Sequence, residues 1–353
     1  MAKVVVNLLG WNHKALLKKC IDSVLAQTHK DFELVYMDNA SKDGSAEFVR
    51  QNYPSINITV NETNLGYAGG HNKFFASCGA DFLMVLNPDV QLLPDYLEEA
   101  VKAFKDEKVG AVMGKLLRLS PPSPALIRGR IKGDVIDSTG ITINLFRRGR
   151  DRGQWEEDTG QYDNQTKIFG VNGAASIFRK SALDRVRVPK NFQFPIPNSQ
   201  SNPKSKIINQ KSGYEYFDED FFAYWEDLDL SWRLNLSGYE CRFASGAIAY
   251  HERNAGQSKG GYKKIFSFIK HHKQLSPNVK KWNWKNHLFC ILKNDFELYK
   301  SLPFIFAREL AMLFYILIFE TATLAVLPEF FEQFPKMKKK RKFIKSRLFN
   351  AGH

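Results

Sequence analysis

Val4–Leu9 is an apolar run broken only by Asn7, the pattern of a strand buried on both faces of a parallel sheet. Leu16, Leu17, Cys20, Ile21, Val24 and Leu25 then recur at helical spacing and predict an amphipathic helix over 13–27. Phe32 to Met37 predicts a second strand ending at Asp38-Asn39, and Asp43-Gly44-Ser45 opens another helix. Ile56–Val60 reads as a third strand and Ala68–Cys78 as a helix. Phe82–Leu86, a fourth strand, runs directly into Asn87-Pro88-Asp89. Pro94, followed by Asp95, Glu98 and Glu99, is a helix start signal. Alternating strands and helices imply a mostly parallel sheet with helices on both faces. Ligands of such sheets bind beyond the carboxyl ends of the strands, where Asp38 and Asp89 both fall.

The alternation weakens over 118–165, which is rich in Arg, Gly and Pro, and 189–213 has the composition of an exposed insertion. Order returns at FDEDFFAYWEDLDLSWRLNLSGYECRF, where Leu228, Trp232 and Leu236 share a helical face and Gly238 is a stop signal. The last ~50 residues differ again. Leu302–Pro328 carries only Arg308, Glu309 and Glu320 as charges, which on one continuous helix fall within an arc of about 120°. This favours an amphipathic helix lying in the plane of a membrane, charges on its wet face, over a spanning helix or a packed soluble one.

The net charge of +14 is concentrated: Lys336–Arg347 holds eight basic residues and no acid. Such a tail suits an anionic membrane surface or nucleic acid, and its position after the apolar segment favours the membrane. Tyr262-Lys-Lys-Ile-Phe and Trp282-Asn-Trp-Lys add interfacial aromatics with cations. The four cysteines, Cys20, Cys78, Cys241 and Cys290, form no CxxC pair, which argues against a disulfide framework or zinc knuckle. The first apolar run is too short for a signal peptide, so the catalytic part is expected on the cytoplasmic side.

Asp38-Asn39, Asn87-Pro88-Asp89, Glu226-Asp227-Leu228-Asp229 and His251 could carry chemistry. Paired strand-end carboxylates suit a nucleotide and its divalent metal, and hard Mg²⁺ or Mn²⁺ prefers oxygen but accepts an imidazole. Taken singly, each has a plain structural reading. Asp38 serves equally as a helix cap, Asn-Pro-Asp as a turn, His251 and Trp225 as core residues, and Asp229 with Arg233 as an i, i+4 pair.

In combination and order these segments resemble the inverting glycosyltransferases of family 2, rhamnosyltransferase-like members included, over about residues 3–258. The carriers are VYMDNASKDGSAEFVR, NLGYAGGHN (64–72), MVLNPDV, VNGAASIFRKSAL (171–183), FDEDFFAYWEDLDLSWR and YHERNAGQS. The resemblance implies a GT-A fold: a Rossmann-like catalytic domain over 1–258, with 189–213 a flexible insertion. Residues 259–353 would be a helical, basic, membrane-associating region. It implies nucleotide-sugar contacts from Asp38, Asn39, Asn64, Gly66, Gly69, Gly70, Asn87, Asp89, Gly173 and Trp225. Asp89, with His251, would hold Mg²⁺ or Mn²⁺. Asp227 would be the general base, with Glu226 and then Asp229 as second choices. A helix-start position is expected to favour the ionised form of Asp227.

The activity implied is inverting transfer of a sugar from a nucleotide-diphosphate donor, dTDP-rhamnose or a UDP-sugar. The acceptor would be a glycan or lipid-linked hydroxyl in cell-surface polysaccharide synthesis. The partners implied are the anionic membrane surface and no nucleic acid. Asn87, standing where the commoner motif has a first aspartate, leaves one metal-binding carboxylate there. A sugar nucleotidyltransferase would need a glycine-rich loop after the first strand, where LGWNHK stands. A non-catalytic surface-binding protein would use the basic tail alone.

Overall fold

The structure, a computed structural model, describes residues 3–119, 134–190, 213–253 and 272–349. The segment around Tyr262, the end of YHERNAGQS and nearly all of the 189–213 insertion lie outside the described residues.

The strands are β1 Val4–Gly10, β2 Phe32–Asp38, β3 Asn57–Val60, β4 Phe82–Leu86, β5 Val90–Leu92, β6 Val109–Arg118 and β7 Ile136–Ser138. They continue with β8 Ile141–Ile143, β9 Gly149–Asp151, β10 Lys167–Ile168, β11 Ala175–Arg179, β12 Val188–Pro189, β13 Tyr214–Glu215 and β14 Glu240–His251. The helices are α1 Lys14–Leu25, α2 Ser45–Asn52, α3 Gly66–Ser77, α4 Tyr96–Lys102, α5 Lys180–Val186 and α6 Glu226–Leu236. Three more close the chain: α7 Pro277–Asn294, α8 Leu298–Phe319 and α9 Leu327–Phe349.

One ten-stranded sheet organises the molecule in the order β10-β14-β6-β11-β4-β1-β2-β3, with β5 on β14 and β7 on β6. The β3-β2-β1-β4 half is parallel, as the alternation of strands and helices requires. The other half is mixed, because β11 runs antiparallel between β4 and β6. That reversal puts residues just before β11 at the same edge as the end of β4, where Asn87 N–H donates to Ala174 O at 2.9 Å. Antiparallel β5 sets His251 opposite Val90, one residue beyond Asp89, and parallel β6 sets His251 beside Arg118.

The C-terminal region is helical as expected, but it is not an appendage. α7 and α9 pack with α6, where Phe289, Cys290 and Met337 join Leu228, Trp225 and Trp232 in one apolar cluster. A buried ion network reinforces it. Lys340 of α9, fully buried, reaches Glu215 (2.5 Å), Asp218 (2.5 Å) and Asp220 (2.8 Å), while Lys293 of α7 bridges Asp218 and Asp229. Part of the basic tail is thus engaged within the protein: Lys340 and Lys336 neutralise acids that precede α6.

The expected helix over 302–328 is also corrected. α8 ends at Phe319, Glu320 is its cap, and a 3₁₀ turn over Thr321–Val326 leads to α9. Its charges do not face water: Arg308 and Glu309 turn inward onto His287 and Trp284 of α7. The exposed positions from Leu302 to Phe319 are all apolar, with Phe306 66% and Ile318 67% exposed.

Candidate active site

At the end of β2 the chain turns on Asp38, whose Oδ1 accepts from Ser41 N–H (2.7 Å) and Oδ2 from the Tyr36 hydroxyl (2.9 Å). It does not cap α2, whose opening turn is fixed by Asp43 accepting from Ser45 N–H. Asn39 uses its whole amide to hold the 61–66 loop: it accepts from Leu65 N–H and Asn61, and donates to Asn64 and Gly66 O. Asn64 completes the turn by accepting from Gly66 N–H at 2.8 Å. Gly66, at φ +70°, has no room for a Cβ because Phe222 O would lie 2.5 Å away. At Gly69 and Gly70 a Cβ would meet Leu65 and Leu9. At these three glycines the room a Cβ would need is taken by protein neighbours.

The turn after β4 presents Asp89 at the sheet edge, its side chain 19% exposed. The antiparallel β5–β14 pairing delivers His251 with Nε2 3.4 Å from Asp89 Oδ2. Behind it, His251 Nδ1 lies 2.8 Å from Asp137 Oδ2. Burial disfavours the imidazolium, but hydrogen bonds and charge from Asp137 and Asp89 outweigh this and push its pKa up to about 9. Asp137 also receives Arg118 (3.0 Å) and Arg253 (3.3 Å), and Arg253 continues to Asp151 at 2.8 Å. Asp151 accepts from Asn172 (2.8 Å), next to Gly173.

Once a cation displaces the imidazolium proton from Nε2, Asp89 and His251 form a hard-oxygen-plus-imidazole donor pair, with Asp137 placed to orient the ring. Among the described residues no group of three His, Cys, Asp or Glu side chains is arranged to hold a metal ion. The pair therefore fits Mg²⁺ or Mn²⁺ only as an ion that takes its other ligands from substrate phosphates and water.

Asp227 opens α6. Its Oδ2 accepts from Gly173 N–H (3.1 Å) and Oδ1 from Leu228 N–H (2.7 Å), and the Tyr67 hydroxyl donates to Gly173 O (2.6 Å). The helix start was expected to favour the carboxylate. Burial wins instead and raises Asp227 to about 6, although the two backbone N–H groups pull it down. Glu226 is raised further, by burial and then by Asp227, and its Oε2 is a buried oxygen with no hydrogen-bond partner. The two neighbouring carboxyls therefore titrate as a pair, and each makes ionisation of the other harder. Asp229 is withdrawn from the choice of base: it is buried in ion pairs with Arg233 (3.0 Å) and Lys293 (2.8 Å).

The approach to Asp227 is strained. Phe222, Tyr224 and Trp225 all have positive φ, at 60°, 70° and 76°. Asn286 of α7 holds them by donating to the carbonyls of Phe221, Ala223 and Tyr224 at 2.9–3.0 Å. Asn72 of α3 likewise grips Tyr216 and Phe217. Trp225 is packed on His287 and bonded to Asn283, so the core reading holds for it.

Sequence reasoning missed Asp137, Asp151, Arg253, Asn72 and Asn286. Asn72 stood inside the recognised NLGYAGGHN segment and Arg253 two residues after His251. The others sit in stretches without periodicity.

The carboxyl edge of this α/β sheet, where ligands of such sheets bind, thus brings a carboxylate–histidine pair and a buried carboxyl raised toward neutrality together. The family model "Glycosyl transferase family 2" matches residues 11–187, and the chain belongs to that family. It is a glycosyltransferase, which disposes of the nucleotidyltransferase and non-catalytic readings.

Among curated relatives, N-acetylglucosaminyl-diphospho-decaprenol L-rhamnosyltransferase of Mycobacterium tuberculosis is 23% identical over 248 residues, covering 67% of this chain and 72% of that protein. GalNAc-T7 with UDP, GalNAc and Mn²⁺ superposes with TM-score 0.53 at 10% identity, over 83% of this chain and 48% of that one. Staphylococcus aureus TarS 1–349 with UDP-GlcNAc gives 0.52 at 14% identity, over 99% and 88%. Both are GT-A glycosyltransferases, and the fold is shared.

Proposed function

We propose that the chain transfers one sugar, with inversion, from a nucleotide-diphosphate sugar to a hydroxyl of a lipid-linked or glycan acceptor in cell-surface polysaccharide synthesis. dTDP-rhamnose and UDP-sugars are the donors to test first, since the curated relative named above is a rhamnosyltransferase acting on a diphospho-decaprenol. The observation that carries the reading is Asp227: a buried carboxylate with a pKa of about 6, held by Gly173 at the edge that also presents Asp89 and His251.

Asp38, Asn39 and Asn64 with its loop form the nucleotide side. Asp89 and His251 would hold Mg²⁺ or Mn²⁺, which as a Lewis acid offsets charge on the departing diphosphate. Asp227 takes the acceptor hydroxyl proton as that oxygen attacks the anomeric carbon from the face opposite the leaving group. Burial and the neighbouring Asp227 both work against a second negative charge on Glu226. Gly173 N–H and Leu228 N–H keep the Asp227 carboxylate oriented.

We further propose that the chain is a peripheral or monotopic protein on the cytoplasmic face of an anionic membrane. α8 is the one helix among the described residues long and apolar enough to cross a membrane. Its outward apolar arc, roughly 200° over Leu302–Ile318, and its inward charges suit a helix lying in the bilayer surface.

A thermal-shift screen of nucleotide-sugars with and without Mn²⁺ tests the reading. One donor class should raise the melting temperature in a metal-dependent way. If no nucleotide-sugar shifts it under either condition, the proposal fails.

A further inference from the structure

The β8–β9 hairpin, which the base and the donor side leave unexplained, runs from α8 to the floor of the site. Its turn is fixed by Asn144, whose Oδ1 accepts from Phe146 N–H and Arg148 N–H at 3.0 Å. The tip presents Leu145, 59% exposed, and Phe146, whose ring meets Phe304 of α8 edge-on with centroids 6.0 Å apart. Arg147 pins the tip to Asp295, between α7 and α8, at 2.7 Å. Further along, Gly149 lies flush on α6, where a Cβ would meet Leu228 at 3.0 Å. The hairpin ends at Asp151, bonded to Asn172 beside the Gly173 that holds Asp227. From Phe146 to Asp151 that is ~17 Å of chain.

Arg148 stands between these ends, its guanidinium 5.1 Å over the Trp225 ring, two residues before Asp227. Lys280 and Arg308 lie at the same junction of hairpin, α7 and α8, balanced by Glu320 and Glu309. The local field agrees: His287 is held down to about 4, chiefly by burial and further by Arg308 and Arg148. The order along the hairpin is therefore apolar tip beside an apolar helix, then a cation stacked on an aromatic face, then the base. A lipid-linked saccharide has the same order: hydrocarbon, phosphate, sugar hydroxyl. Arginine's planar fork matches phosphate oxygens, and the indole face beneath it fixes its plane.

We infer that the β8–β9 hairpin is the acceptor guide, with Leu145 and Phe146 entering the bilayer beside α8 and Arg148 binding the diphosphate of the acceptor lipid. This rests on the lipid-linked acceptor proposed above.

The test measures transfer to a short-chain prenyl-diphosphate monosaccharide by the full-length protein, with donor affinity followed by calorimetry. Arg148→Ala should raise the acceptor KM at least tenfold, with kcat changed less than threefold and donor Kd within twofold. Arg148→Lys should recover part of the loss. Leu145→Glu with Phe146→Glu should depress turnover of vesicle-borne long-chain acceptor more than that of the detergent-dispersed short-chain one. An unchanged acceptor KM in Arg148→Ala, with the wild type active, overturns the subsite alone. Loss of binding to anionic phospholipid vesicles without a change in acceptor KM assigns Arg148 to headgroups and also overturns it. A wild type active on soluble glycans but inert on the prenyl diphosphate overturns the acceptor class together with the subsite.

Discussion

Asp227→Asn exchanges a buried ionisable carboxylate for a neutral side chain of the same shape, and the structure predicts opposite effects on activity and stability. Asp227 is raised from 3.8 to about 6, with burial the largest cause. The folded state therefore holds its proton more tightly than the unfolded chain does. Its contribution to stability is complete below about pH 4 and is lost as pH rises to and through 6. Ionising it in place costs on the order of 3 kcal/mol at neutral pH. Asparagine avoids that cost but leaves one of the two backbone N–H donors, Gly173 or Leu228, without an acceptor, a loss of about 1–3 kcal/mol.

The net gain is therefore between about 0 and 2 kcal/mol. For 353 residues, at about 2.1 cal/mol/K each, this is a rise of at most about 3 °C in Tm. Calorimetry of both proteins at pH 4, 6 and 8 should show the difference growing with pH, while transfer by the variant is abolished and donor binding persists. The wild-type rate should fall below about pH 6 as Asp227 takes up its proton. A variant less stable than wild type at pH 8, or a difference independent of pH, refutes the buried-base argument.

Asp89→Ala and His251→Ala should each weaken Mn²⁺-dependent donor binding by 10- to 100-fold on the order-of-magnitude scale of metal-site losses, with metal-independent binding little altered. Titration calorimetry showing equal affinities with Mn²⁺ would remove both from the metal site. Lys340→Ala strips the partner from buried Glu215 and Asp218, so the fold should lose about 3–5 kcal/mol, or about 4–7 °C in Tm. A shift under 1 °C means the network does not anchor α9. Phe306→Glu, Phe314→Glu and Ile318→Glu together place charges on the outward arc of α8 and should abolish sedimentation with anionic vesicles at unchanged Tm. Continued sedimentation would show that another surface holds the membrane. Removing 301–353 is a poorer test, because it also removes Lys340 and Arg308.

The parallel half of the sheet was readable because β1, β2, β3 and β4 each show a short apolar pattern, closed by Gly10 in β1 and by a polar residue in the others, with helical periodicity between them. So were Asp89, His251 and Asp227, since residues at strand and helix ends carry a local signal. The partners of those residues were not. Asp137 meets His251 because β7 and β14 both pair with β6, a register that no local pattern encodes. The inward turn of Arg308 and Glu309 was hidden for a related reason. A helical wheel gives the arc a charge occupies but not which side the protein covers, and here α7 supplies His287 and Trp284 to receive it. The pKa of Asp227 needed burial as well as position, and the helix start alone gave the wrong sign.

The central claim is a single displacement with Asp227 as base. Its most direct measurement is the anomeric configuration of the transferred sugar, read by NMR from product made with a donor of known configuration. The account predicts the opposite configuration in the product and no product from Asp227→Asn. Retention of the donor's configuration, or inverted product from Asp227→Asn at the wild-type rate, would contradict it.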